Sequence, residues 1–89
     1  MGIVAVKIKI MPESPDVDLT QLREKLEEKI NSLGGKINSA EEEPIAFGLN
    51  AIIITLAWPE EKSTDIFESE LQIEDVSSVQ IIDYRRAFG

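Results

Sequence analysis

The 89-residue chain is short and strongly acidic, with 17 acidic and 9 basic side chains and a formal net charge of −8. That charge disfavours nucleic acids and anionic membrane surfaces as partners. The length predicts one domain, residues 1–89, with a thin core. Cysteine and histidine are both absent, which excludes disulfides, zinc–thiolate sites and imidazole catalysis, so we expect neither an enzyme nor a metal or cofactor site.

The first part of the chain predicts a strand followed by a helix. Apolar residues alternate with other residues across 3–11, which is the period-two pattern of a half-buried strand. Two prolines interrupt the pattern in 11–18, and Asp18 is placed to cap the next helix because its carboxylate can accept backbone N–H groups. Leucine and isoleucine then recur every three or four residues from Leu19 to Leu33, and Gly34 is the expected helix stop.

The middle of the chain predicts two more strands. One covers residues 36–40 and fades into the acidic Glu41–Glu43, after which Pro44 to Gly48 interrupts the pattern. The other covers the β-prone run 49–58, where both faces of the strand are largely apolar. A strand that is apolar on both faces is expected inside a sheet rather than at its edge.

The last part predicts a short helix and a final strand. Ser63 or Thr64 is the predicted cap of a helix that carries apolar residues from Ile66 to Leu71, and a strand runs from Val76 to Tyr84. The order strand, helix, strand, strand, helix, strand is that of the ferredoxin-like βαββαβ fold. We therefore predict an α+β two-layer sandwich, in which a four-stranded antiparallel sheet carries both helices on one face. The other face would stay open to solvent.

Several functions found on this fold require residues that this chain lacks. An RNA-recognition module needs clustered aromatic and basic residues on the open face, and a metal carrier needs cysteines. An acylphosphatase-like enzyme needs an anion-binding loop after the first strand, where Met11-Pro12-Glu13 offers neither glycine nor a positive charge. A ligand-sensing regulatory domain that dimerises through its open sheet stays an alternative, because it demands few fixed side chains.

Three polar or aromatic features each have two interpretations. Glu41–Glu43 could hold a hard cation, but alternate side chains of an extended chain diverge, which favours a solvated acidic loop. Arg85 and Arg86 either pair with surface acids or contact a partner. Phe47, beside Gly48, either packs into the domain's own core, as loop aromatics usually do, or serves as an exposed anchor for a partner.

The segment Pro44-Ile45-Ala46-Phe47-Gly48-Leu49 resembles the P-[IV]-[AG]-[FY]-G-[IL] segment of the elongation factor 1-beta family. The proline-containing segment Met11–Asp18 after the first strand resembles the opening of the archaeal members, and Asp83-Tyr84-Arg85-Arg86 resembles their ending. The resemblance covers essentially the whole chain.

The resemblance implies a ferredoxin-like exchange domain that releases GDP from a translation GTPase, elongation factor 1-alpha. In that family the aromatic that matches Phe47 docks into the GTPase, and the C-terminal tail approaches the Mg²⁺ and phosphate region. The partner-binding residues expected on this basis are Pro44, Ile45, Ala46, Phe47, Gly48, Arg85, Arg86 and Phe88. A cytoplasmic protein, monomeric when free, is expected.

The tail departs from the eukaryotic members of that family in one respect. Those members end with a penultimate lysine implicated at the Mg²⁺ site, whereas this chain ends with Ala87-Phe88-Gly89. The resemblance therefore leaves Arg85 or Arg86 as the candidates for the cationic role.

Overall fold

The computed structural model describes residues 2–86, which form four strands and two helices. Their order is β1 (Ile3–Pro12), α1 (Leu19–Leu33), β2 (Lys36–Ala46), β3 (Leu49–Pro59), α2 (Ile66–Glu70) and β4 (Val76–Arg86). The strands lie in the sheet in the order β2-β3-β1-β4, and each neighbouring pair is antiparallel. This is the ferredoxin-like arrangement that the sequence predicts. The prediction that β3 lies inside the sheet is confirmed.

The core lies between the two helices and one face of the sheet. The alternating apolar side chains of β1 and β3 point to that face, where they meet the apolar stripe of α1 and the buried side of α2. The rings of Trp58 and Phe67 join sheet and helix layers, with centroids 4.5 Å apart and planes tilted by 57°. The largest fully buried side chains are Trp58, Phe67, Ile8, Ile10, Leu26, Ile30, Ile52, Ile54, Leu56 and Leu71.

Helix α1 begins and ends where local chemistry predicts. The Asp18 carboxylate accepts the N–H groups of Thr20 at 3.0 Å and Gln21 at 3.2 Å, which satisfies two of the donors left free at a helix start. At the other end Gly34 has a φ of 103°, a left-handed conformation in which glycine has no steric penalty. The N–H of Gly35 donates to the carbonyl of Ile30 at 3.0 Å, which closes the helix.

Strand β2 is longer than predicted, and the prediction of an acidic loop at Glu41–Glu43 is wrong. This segment continues the strand, with Glu41 opposite Ile53 and Glu43 opposite Ala51 of β3. β2 lies at the edge of the sheet, where charged side chains and a proline that lacks an N–H are tolerated. Pairing with the strongly β-prone β3 outweighs the low intrinsic strand preference of glutamate.

Helix α2 is a short element whose predicted cap is misplaced. Asp65 precedes the helix and makes no side-chain capping bond, and the Ser63 hydroxyl accepts the N–H of Asp65 at 3.1 Å in the turn before it. The helix still buries Phe67. Within residues 2–86, no helix is both long and apolar enough to span a membrane.

Candidate functional site

Strands β2 and β3 are joined by a two-residue turn, Phe47-Gly48. Ala46 pairs with Leu49 across it, and the φ angles of Phe47 and Gly48 are 55° and 79°. Two consecutive positive φ angles are the mark of a type I′ hairpin turn, which matches the twist of the strands and favours Asn-Gly. A phenylalanine with this backbone conformation is rare, because its side chain crowds the main chain.

The Phe47 side chain points away from the domain. It is 96% exposed, so the interpretation of Phe47 as a core residue is wrong. Ile45, at an irregularity in the pairing between Pro44 and Ala46, is 40% exposed. The segment Pro44–Gly48 is exposed throughout. The hairpin tip is therefore an apolar patch held out in solvent on two paired strands.

The turn that leads from β1 to α1 lies beside this tip. A Cβ atom built on Gly48 would lie 3.8 Å from the Cβ of Pro15, which is ordinary van der Waals contact. Pro15 and Asp16 are exposed. The sequence predicts this segment as a turn, but only the folded sheet brings it next to Phe47.

The arginine pair lies at the opposite end of the sheet. Arg85 is opposite Ala5, which in turn is opposite Ala57. From Leu49 to Ala57, β3 advances about 26 Å at roughly 3.3 Å per residue. The predicted partner-binding residues thus form two groups rather than one site, and Phe88 lies outside the described residues.

Both arginines are paired but largely accessible. The Nε atom of Arg85 is 3.0 Å from a carboxylate oxygen of Asp83, and the side chain of Arg85 is 79% exposed. Arg86 pairs with Glu60, and the side chain of Arg86 is 60% exposed. Ion pairs this exposed contribute little stability, so the guanidinium groups can exchange these acids for a partner's groups at small cost.

Charge is segregated along the long axis of the molecule, which extends 42 × 21 × 18 Å. The segments 12–18, 42–52 and 74–79 meet at the hairpin end and contain seven acids and no lysine or arginine. The opposite end carries four cations, Lys36, Lys62, Arg85 and Arg86, together with the acids Glu60, Glu61 and Asp83. The hairpin tip is therefore surrounded by negative charge alone, whereas the opposite end, which we call the arginine end, carries charges of both signs.

The acidic side chains of residues 2–86 form no buried or clustered centre. Among residues 2–86, no cluster of three potential metal ligands occurs, and no polar or charged side chain is buried. The strand places Glu41 and Glu43 on the open face with Ile53 and Ala51, whereas Glu42 lies opposite the core residue Ile52. The acidic run therefore does not converge on one point.

Residues 5–86 match the family model of the EF-1 guanine nucleotide exchange domain. The chain belongs to the elongation factor 1-beta family. The elongation factor 1-beta of Methanothermobacter thermautotrophicus is 43% identical over 88 residues, which cover 97% of this chain and 98% of that protein. The elongation factor 1-beta proteins of Haloarcula marismortui (46% identity, 91% and 93% coverage) and Methanosarcina barkeri (43%, 97% and 99%) are similarly close. Both the hairpin tip and the arginine pair lie within the segment that defines this family.

A likeness to a solved structure adds information on the fold alone. The C-terminal domain of the MgtC protein from Mycobacterium tuberculosis superposes with a TM-score of 0.69 over 97% of this chain and 89% of that domain. Its sequence identity is 11%. The likeness supports the ferredoxin-like fold and carries no argument about function.

Proposed function

We propose that this protein promotes the exchange of GDP for GTP on elongation factor 1-alpha, with residues 1–89 acting as one exchange domain. The observation that carries the proposal is the position of Phe47. It is an aromatic side chain, 96% exposed, on a turn that disfavours it, within the family's exchange segment. A rigid aromatic presented in this way is the type of side chain that dominates protein–protein interfaces.

The two ends of the domain would have separate tasks. The hairpin tip docks on the GTPase, while the exposed Arg85 and Arg86, about 26 Å away along β3, approach its Mg²⁺ and phosphate region. Mg²⁺ bridges phosphate oxygens and protein ligands, so a change at that site weakens the hold on GDP. By linkage, a factor that weakens nucleotide binding is itself bound less tightly once nucleotide is present. Excess GTP therefore displaces the factor.

The direct test measures nucleotide release. Elongation factor 1-alpha loaded with a fluorescent GDP analogue is mixed with excess GTP, with and without this protein. We expect catalytic amounts of the protein to accelerate release of the analogue. An unchanged release rate at saturating protein contradicts the proposal.

A tight dimer in sedimentation experiments, stabilised by an amino acid and without GTPase binding, would instead support the ligand-sensing alternative.

The role of the arginine end is tested in the same assay. Replacing Arg85 and Arg86 together by alanine should slow release by roughly tenfold or more, the equivalent of one charge-assisted hydrogen bond. The matched control replaces Arg23 and Lys25, which lie on the surface of α1, by alanine. If the variant without Arg85 and Arg86 releases nucleotide as fast as the wild-type protein and the control, the arginine pair has no part in exchange.

A further inference from the structure

The open face of the sheet has a depression at the end opposite the hairpin, with a volume of about 590 Å³. The side chains that line it include Ala5 and Ala57 on the two central strands, Ile3 and Pro59 beyond them, and Lys36 and Asn38 on the edge strand β2. We call it the alanine depression. It lies on the face of the sheet that the helices leave uncovered.

The strand register explains why a depression forms here. Lys36, Ala57, Ala5 and Arg85 are aligned across the four strands in one row. The two methyl side chains in the middle are short, while the two ends of the row carry long cations. The edge strands β2 and β4 are about 14 Å apart, since neighbouring strands are spaced by about 4.8 Å. The row therefore has an apolar floor, with Lys36 on the rim of the depression at one end and Arg85, which lies beyond the lining residues, at the other.

The cations at the two ends of this row are accessible to a partner. Lys36 is exposed and forms no ion pair in the part of the chain that the structure describes. Arg85 is 79% exposed at its side chain, despite its pair with Asp83. Lys62, by contrast, is engaged, because its Nζ donates to the carbonyl of Leu33 at 2.9 Å. The cation without an acidic partner on the rim of the depression is thus Lys36, and Arg85 at the far end of the row is accessible in part.

We propose that the alanine depression receives an acidic segment of the partner GTPase, with an aliphatic side chain on the floor and a carboxylate beside Lys36. The inference rests on the proposed function, to which it adds a contact and its chemistry. Charge complementarity selects this occupant, since the exposed ammonium group of Lys36 attracts a carboxylate and repels a basic segment. The small floor residues allow the partner's side chain to be fully desolvated, as is typical of an interface centre.

The location supports the same occupant. Arg85 shares a row of the sheet with Lys36 and the floor of the depression, and it also belongs to the arginine end that we assign to the phosphate region of the GTPase. A segment seated in the depression would hold that end in place. The hairpin end, which is acidic, would contact a basic part of the same partner, so the two contacts have opposite charge requirements.

Two pairs of variants test the inference. Ala57→Ile fills the floor, and its control Thr55→Ile adds a similar side chain on the same strand and face, one row away. Lys36→Glu reverses the rim charge, and its control Lys25→Glu makes the same change on the exposed surface of α1. The dissociation constant for nucleotide-free elongation factor 1-alpha is measured by calorimetry for each. Circular dichroism melts of all four variants report whether the fold is retained.

We expect Ala57→Ile and Lys36→Glu each to raise the dissociation constant about tenfold or more, and the two controls to change it by less than about twofold. Because Lys36 is exposed, its variant remains informative even if Ala57→Ile does not fold. If the wild-type protein binds the GTPase and both test variants bind as well, the depression is not a contact and the proposed function stands. If the wild-type protein does not bind the GTPase, both proposals fail. A homodimer that Ala57→Ile disrupts would overturn the inference by showing that a second copy is the occupant.

Discussion

At position 47, turn geometry and packing both disfavour phenylalanine. The backbone φ of 55° costs a bulky residue on the order of 1–3 kcal/mol, and the ring gains nothing from burial because it is 96% exposed. Asparagine, which the type I′ turn prefers, would serve the fold better. A residue that opposes local structure without a stabilising contact in its own domain is typical of a functional site.

Phe47→Asn is therefore expected to separate stability from binding. The free energy of unfolding should stay the same or rise by up to about 1 kcal/mol, because asparagine tolerates the left-handed turn. Affinity for elongation factor 1-alpha should fall by about 2 kcal/mol, roughly 30-fold, because an interface anchor is lost. Chemical denaturation and calorimetry measure the two quantities. A variant that loses stability but exchanges nucleotide normally would show that Phe47 serves the fold.

Phe47→Ala provides the matched comparison for this prediction. Alanine also removes the ring. Unlike asparagine, however, it has no preference for the left-handed backbone conformation of this turn. We expect the same loss of affinity as with asparagine and no gain in stability. A large difference in affinity between the two variants would point to turn geometry, rather than the ring, as the feature that the partner recognises.

At the scale of elements, α1 is bounded by two local interactions, one at each end of the helix. Asp18 accepts two backbone N–H groups at the start of the helix, and Gly34 adopts the left-handed conformation at its end. Lys62 adds a tertiary contact there, because its Nζ donates to the carbonyl of Leu33 and lies 5.3 Å from the centroid of the Trp58 ring. The helix is thus tied to the turn after β3.

Asp18→Ala is expected to lower the free energy of unfolding by about 1 kcal/mol, because two N–H groups at the helix start lose their acceptor. Asp16→Ala is the control, since Asp16 is a nearby exposed acid and removes the same charge. Urea denaturation measures both, and we expect the control to change stability by less than about 0.5 kcal/mol. Equal losses in the two variants would assign the effect to net charge rather than to capping.

The position of β2 at the edge of the sheet determines how the hairpin presents Phe47. β2 has one strand neighbour in the described sheet, and its outer edge carries the acids and Pro44 that prevent pairing with other chains. The same edge position lets the strand extend to Ala46 and hold the turn at Phe47 away from the core. A loop could present the same residues, but paired strands reduce the conformational entropy lost on docking.

At the scale of the whole molecule, the net charge of −8 is unevenly distributed. Seven acids without a lysine or arginine lie in the segments at the hairpin end, while the cations lie at the opposite end, where Lys36 lines the alanine depression. An uneven charge distribution orients a protein during diffusional encounter as well as attracting its partner. We therefore expect the hairpin end to approach a basic surface first.

Charge reversal at the hairpin should consequently slow association. Glu42→Lys with Glu43→Lys is expected to lower the association rate constant for elongation factor 1-alpha by about tenfold at low ionic strength, and to weaken its decline as salt rises. The control, Glu24→Lys with Glu28→Lys, makes the same change in net charge on the exposed surface of α1. Stopped-flow fluorescence at several salt concentrations measures the rates. Equal effects of the two pairs would mean that net charge, and not its location, governs association.

The sequence by itself determined the order and type of the elements. Helix α1, its cap at Asp18 and its stop at Gly34 depend on contacts within about four residues, so the local pattern was sufficient. The period-two pattern of β1 and the apolar run of β3 likewise follow from which faces are buried. The family segment around Phe47 and the arginine pair were also readable as short motifs.

Only the tertiary structure decided the length of β2, the exposure of Phe47 and the place of each candidate residue. The acidic run became a strand because β3 pairs with it, and Phe47 stays in solvent because that pairing carries the turn beyond the core. The alanine depression joins four strands through residues 5, 36, 57 and 85, which are far apart in the chain. Local preferences carry no information on such contacts, because they arise only when the strands align in register.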